Sequence, residues 1–120
     1  MLLKNIREYD GIFIAIGSTD LRKSVDGLAN IVRYDFAMDP FGNYIFLFCN
    51  KNRNRLKALS WDENGFSIYY KRLDGMGAQF IWPNHPDAVR NINPLQLERL
   101  MSGLSIELPR GFGKISARDF

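Results

Sequence analysis

Two sets of side chains in this sequence have the types and spacing to do chemistry: a pair of aspartates in a polar stretch, and a concentration of lysine and arginine set among aromatic rings. Asp20 and Asp26 are the carboxylates that would hold Mg²⁺, with a substrate's phosphates completing the shell, as metal-dependent phosphoryl transfer requires. Six residues apart is a poor spacing for that task. At ~100° per residue the two side chains diverge by about 120° on a helix. Asp20 as a helix cap and Asp26 as a surface or lysine-paired residue is the better account, and no third carboxylate stands out to complete an acidic nuclease core. A zinc site needs three or four suitable ligands, and the chain has one Cys and one His. His85 lies between two prolines with no partner identified by spacing, so neither acid–base nor nucleophilic catalysis is indicated. Cys49 sits in an apolar run and reads as a buried, inert thiol. No cofactor motif is present, no metal is expected, and the sequence does not read as that of an enzyme.

The cations are more informative. Within residues 44–72, Lys51, Arg53, Arg55, Lys57, Lys71 and Arg72 stand against Asp62 and Glu63, a net +4 where the whole chain carries only +3. Alternation along an extended strand places Arg55 and Lys57 on one face, and Lys51 and Arg53 fall in the turn before it. A basic rim of this kind suits phosphates. Equally, lysine and arginine blunt an exposed hairpin against edge pairing. Trp61, Tyr69, Tyr70 and Trp82 are interleaved with these cations, and aromatic rings on a basic sheet can stack bases; the same rings also serve as core. Tyr69 and Tyr70 point in opposite directions, so only one of them can face inwards.

The elements that must position these residues follow from the hydrophobic pattern. Ile45-Phe46-Leu47-Phe48-Cys49 has the length and composition of a strand buried on both faces. Asn50-Lys51-Asn52-Arg53-Asn54 has turn composition. A second strand returns from Arg55 to Trp61, Asp62-Glu63-Asn64-Gly65 forms a tight turn in which Asn-Gly supplies positive φ, and a third strand runs from Phe66. The expectation is a three-stranded antiparallel meander. Upstream, residues 1–10 read as a loosely held lead-in, and Gly11-Ile12-Phe13-Ile14-Ala15-Ile16-Gly17 as a buried strand. Ser18-Thr19-Asp20 then offers N-caps for a helix reaching about Tyr34, with Leu21, Val25, Leu28 and Val32 as its stripe. Asp20 is the expected cap, Ser24 the substitute if the first turn is irregular. Gly27 inside that helix implies close packing or a late start. Free N–H groups at the helix start, beside Arg22 and Lys23, could receive a phosphate, although the glycine spacing of a nucleotide loop is missing.

Downstream, Gln79-Phe80-Ile81-Trp82-Pro83 reads as a short strand stopped by proline, and residues 88–92 as an edge strand. Asn93-Pro94 opens a second helix with Leu95, Leu97, Leu100, Met101 and Leu104 as its apolar face and Gly103 near its end. The assembled expectation is one small α+β domain: a mostly antiparallel sheet with two helices packed on one face. A chain of 120 residues buries roughly two-thirds of its unfolded surface, enough for a core without staples. Residues 11–104 form the expected globular part, and residues 105–120, with Arg110, Lys114 and Arg118, a flexible basic tail. Lys4, Arg7, Glu8 and Asp10 interrupt any secretory leader and no stretch is long enough to span a membrane, so a cytoplasmic protein is expected.

Taken in order, these motifs resemble a known family, the small TnpB-type accessory protein encoded by the second reading frame of bacterial insertion sequences of the IS-sixty-six type. The resemblance rests on Thr19-Asp20-Leu21-Arg22-Lys23-Ser24-Val25-Asp26-Gly27-Leu28, Asp39-Pro40, Arg55-Leu56-Lys57, Trp61-Asp62 with Gly65-Phe66, Tyr70-Lys71-Arg72-Leu73, Phe80 with Trp82-Pro83, and the Leu-rich terminal helix. Cys49 and Asn54 depart from it, standing where Arg and Asp are expected. The resemblance implies a role in transposition beside a separate transposase that cleaves and joins DNA, and it carries no catalytic residue. Contact with DNA is then expected at Arg22, Lys23, Lys51, Arg53, Arg55, Lys57, Lys71 and Arg72, with Thr19, Asp20, Ser24 and Asp26 as further polar positions of the matched motif. The alternatives are an adaptor that docks the transposase without touching DNA, and an Mg²⁺-dependent nuclease using Asp20 and Asp26.

Overall fold

The computed structural model describes residues 4–107. Strand β1 (Gly11–Ala15) leads through a polar segment to helix α1 (Val25–Asn30), which continues as a wider π-helical turn, Ile31–Asp35. Then come β2 (Tyr44–Cys49), β3 (Arg55–Asp62) and β4 (Gly65–Arg72), the edge strand β5 (Val89–Ile92) and helix α2 (Pro94–Met101). The sheet order is β4-β3-β2-β1-β5. Only β1 and β2 run parallel; the β2–β3, β3–β4 and β1–β5 pairings are antiparallel. The α+β class, the meander and the edge strand are as the sequence indicated.

Alternation along β2 divides the core in two. Ile45, Leu47 and Cys49 join a cluster that includes Leu97 and Leu100 of α2, together with Phe80, Trp82 and Ile106. Phe46 and Phe48 point the other way, into a cluster with Leu28, Ala29 and Val32 of α1 and its continuation. The two helices therefore lie on opposite faces, not on one as expected. The reason is already in β2: a strand apolar on both sides needs cover on both, and burying each of its Phe and Leu side chains contributes about 1.5–3 kcal/mol.

Several local expectations change for equally physical reasons. Residues 79–83 form no strand; Trp82 Nε1 donates to Ala15 O at 2.8 Å, Phe80 N to Arg53 O at 2.6 Å and Gln79 Nε2 to Asn52 O at 3.0 Å. Those bonds anchor the segment across the sheet in place of a ladder. The lead-in is not loose over the described residues. Lys4 Nζ donates to Asn43 Oδ1 at 2.6 Å and Asn43 Nδ2 to Glu8 O at 2.9 Å, while Ile6 and Tyr9 pack on the α2-side cluster. In the β3–β4 turn, Asp62 pairs with Gly65, and positive φ falls on Glu63 at 55° instead of on Asn-Gly. Packing continues past residue 104, because Ile106 is buried and Arg90 Nη1 meets Glu107 Oε1 at 2.5 Å. Arg110, Lys114 and Arg118 lie outside the described residues.

Helix α2 is closed at both ends as its sequence suggests. Asn93 and Gln96 exchange the reciprocal bonds of a capping box, with Pro94 at the first helical position. At the other end Gly103 takes φ 79°, and Leu104 N donates to Arg99 O at 2.8 Å and Gly103 N to Leu100 O at 3.1 Å. That is the paired 6→1 and 5→2 bonding of a Schellman motif.

Candidate nucleic-acid interface

Beyond the carboxyl ends of the parallel pair β1 and β2, the chain leaves two polar segments, residues 17–24 and 50–54. Crevices outside the carboxyl ends of parallel strands are where open α/β sheets commonly hold ligands. The first segment is pinned to the sheet by its backbone. Thr19 N donates to Cys49 O at 2.8 Å, Arg53 Nη1 donates to Gly17 O at 2.9 Å, and Lys57 Nζ donates to Leu21 O at 2.6 Å and Lys23 O at 3.1 Å.

Those last two bonds explain why the helix starts late. In a helix beginning at Asp20, the carbonyls of Leu21 and Lys23 would accept from the N–H groups of Val25 and Gly27; here the Lys57 ammonium takes both. Ser24 becomes the N-cap, extended at φ −99° and ψ −160°, and its carbonyl accepts the first helical bond, from Leu28 N at 3.0 Å. Gly27 follows at the close approach its identity suggested, since a Cβ there would stand 3.0 Å from Lys23 Cβ. Two of the N–H groups expected to receive a phosphate are occupied. Arg22 N is bonded to Asp20 Oδ1 at 3.0 Å and Lys23 N to Asp20 O at 3.1 Å.

The second segment is organised by Asn50. Its Oδ1 accepts from Asn54 N and Arg55 N, both at 3.0 Å, and its Nδ2 donates to Asn54 Oδ1 at 2.7 Å. Arg53 sits at φ 59° within the same turn.

Between the two segments lies a concavity of about 490 Å³, lined by Ser18, Thr19, Asp20 and Arg22 on one wall and by Asn50, Lys51, Asn52, Arg55 and Tyr70 on the other. The eight cations of the sequence reading divide around it. Arg22, Lys51 and Arg55 line it, and Arg22 does so in an ion pair, Nη2 to Asp20 Oδ2 at 2.7 Å with Nε also donating to the carboxylate. That guanidinium holds the Asp20 carboxyl at about 2, well below the usual carboxylate range, and the Arg22 pKa is raised in turn. Lys57 and Arg53 are turned to backbone carbonyls. Lys71 points to the opposite face, where Nζ donates to Met101 O at 3.1 Å, and Arg72 pairs with Asp74 at 2.8 Å. Lys23 is exposed, as are Ser24 and Asp26, which stand at the start of α1 rather than in the concavity; Thr19 lines it.

Among the aromatics, only Tyr70 faces this space, at 50% exposure. Tyr69 packs on the α2-side cluster and Trp82 is buried in it. Trp61 meets Phe41 and Phe66 edge-on, with ring centroids 4.9 and 5.0 Å apart, at the other end of the sheet. Ser18, Asn50 and Asn52 are lining residues that the charge pattern did not flag; the Asn-rich turn composition was the signal for the two asparagines, and the run of N-cap residues the signal for Ser18. Cys49 is fully buried and burial pushes its thiol pKa up. Among the described residues no group of three or more His, Cys, Asp and Glu side chains could hold a metal ion, and no helix is long and apolar enough to cross a membrane.

Fold and concavity together define a small α+β domain with a polar, cation-lined cleft. Comparison with known proteins makes this specific. The family model described as IS66 Orf2 like protein matches residues 10–111, and the chain belongs to that family. Its membership ties it to insertion sequences of this type and to an accessory part in transposition. It is similar to two proteins of Sinorhizobium fredii (strain NBRC 101917 / NGR234). One, uncharacterized protein y4hO, is 31% identical over 99 residues, 82% of this chain and 84% of the relative. The other, uncharacterized protein y4jC, is 30% identical over 93 residues, 78% of each. No solved structure matches the chain.

Proposed function

We propose that the chain is a non-catalytic accessory factor of insertion-sequence transposition that assists the element's transposase through weak nucleic-acid binding at the concavity between residues 18–22 and 50–55. The observation that carries this reading is the convergence of Arg22, Lys51 and Arg55 on one recess with a half-exposed tyrosine. Three cations against one carboxylate make a modest site, which fits an auxiliary contact better than an independent DNA-binding protein. The test is a gel shift with the element's own terminal sequence, with and without transposase, across a salt series. If all three cations neutralise phosphates, log affinity for duplex falls by about 2.7 per tenfold rise in salt, at about 0.9 per contact. Absence of any salt-dependent shift with duplex or single strand overturns the reading.

A second reading has its own support. Arg22, Arg53, Lys57, Lys71 and Arg72 are all engaged by acceptors of the protein itself. A protein–protein adaptor that docks the transposase needs no more from them. Capture of transposase that survives nuclease treatment and the Lys51→Ala, Arg55→Ala double replacement favours the adaptor. A nuclease using Asp20 and Asp26 is the weakest reading, since Asp20 already binds Arg22 on both carboxylate oxygens. Nicking abolished by Asp20→Asn would be its signature.

A further inference from the structure

Beside Arg55, the Tyr70 ring leaves half of its surface open towards a recess too small to take in a double helix. Tyr70 pairs with Lys57 across the β3–β4 ladder, and Arg55 pairs with Arg72 two residues further along the same face. Diagonal neighbours on a ladder stand about 7–8 Å apart, close enough for one nucleotide to touch both. The opposite wall supplies Ser18 and Thr19 hydroxyls, and the turn supplies the amides of Asn50 and Asn52. A volume of about 490 Å³ falls within the ~300–1,000 Å³ range of small-ligand sites.

In a duplex the base faces are stacked and hidden, and the surface offered to a protein is convex with two rows of phosphate. Neither property suits this recess. The Asp20–Arg22 ion pair leaves one wall without net charge to draw a second phosphate row, whereas Lys51 and Arg55 on the other wall suit a single row. An unpaired nucleotide meets both requirements, with its base on an aromatic face and its phosphate on cations.

Resting on the nucleic-acid reading above, we infer that the recess between residues 18–22 and 50–55 is a pocket for one unpaired nucleotide of a single strand, its base stacked on Tyr70 and its phosphate held by Lys51 and Arg55. The Asp20–Arg22 pair forms the polar wall beside it.

Fluorescence anisotropy of the full chain with labelled oligonucleotides at one fixed low salt tests this. Single-stranded mixed-sequence DNA binds more tightly than the same sequence as duplex, and Tyr70→Ala lowers single-strand affinity roughly 5- to 100-fold, the range of one base–aromatic stack. Tyr70→Phe, which keeps the ring, retains it, and far-UV circular dichroism confirms that both variants fold. Equal binding of single strand and duplex, with Tyr70→Ala indistinguishable from wild type but Lys51→Ala and Arg55→Ala weakening both, overturns the pocket and leaves the general polyanion reading intact. Binding of neither overturns both.

Discussion

The turn that enters β3 and the turn that leaves it each hold a residue at positive φ that is not glycine, Arg53 at 59° and Glu63 at 55°, yet the two ends of this strand are built on different principles. At the first, polar side chains satisfy the backbone: Asn50 closes the turn, and Arg53 and Lys57 bind carbonyls of the 17–23 segment. What remains is a concave, wet surface with Lys51 and Arg55 on its wall. At the second, rings do the work. Phe41, Trp61 and Phe66 pack within 5.4 Å of one another and Arg33 lies over Phe41 at 5.8 Å, beside the acidic Asp62 and Glu63. Apolar packing closes a surface and contributes stability, whereas hydrogen-bonded loops leave cations and a cleft available for a ligand. Stability and binding should therefore separate along one strand.

The sharpest way to break that comparison is Trp61→Ala. Loss of a half-buried ring with two edge-on partners should cost about 2 kcal/mol in urea unfolding. Nucleic-acid affinity of the folded variant should be unchanged; a parallel loss of binding would mean that the two ends are not independent. Next in size is Asn50→Ala, which leaves the N–H groups of Asn54 and Arg55 without their acceptor. About 1–2 kcal/mol of stability should go, and binding with it, since Lys51 and Arg55 lose the turn that positions them.

Smaller in stability terms is Lys51→Ala with Arg55→Ala. Unfolding should shift by less than about 0.5 kcal/mol, while the slope of log affinity against log salt flattens by about 0.9 for each lost contact. The smallest effect belongs to Asp20→Asn. Releasing Arg22 should strengthen binding to polyanions by a few-fold. Its pH signature has a definite sign: Asp20 is depressed from 3.8 to about 2, so its stabilising pair is complete above the unfolded value and fades as pH falls towards about 2. Acid titration of stability between about pH 4 and about pH 2 should be shallower in Asp20→Asn, by a small margin because the pair is exposed to solvent.

Much of the fold was legible from the chain. The meander, both turns, the edge strand and the capped α2 helix follow from short-range patterns: alternation, Asn-rich turns and an Asn-Pro start. The cluster of cations near Asn50 was equally visible. Three features were not. Strand assignment failed at Trp82 because its indole N–H found a carbonyl 67 residues away in β1. Helix α1 begins at Ser24, the substitute cap, four residues after the expected Asp20, and its partner α2 lies on the far side of the sheet. In each case the deciding contact joins residues distant in sequence, which local periodicity does not register.

By itself the sequence determined the strands and turns of the meander, and that positive charge gathers around β3. Only the tertiary structure decided which cations are left for a ligand. A strand's alternation assigns a side chain to a face, but whether its charge stays available depends on acceptors that the rest of the chain brings there. Lys57 is the instructive case. It shares its face with Arg55, yet its ammonium is committed to carbonyls 36 and 34 residues earlier, because the fold lays that segment over it.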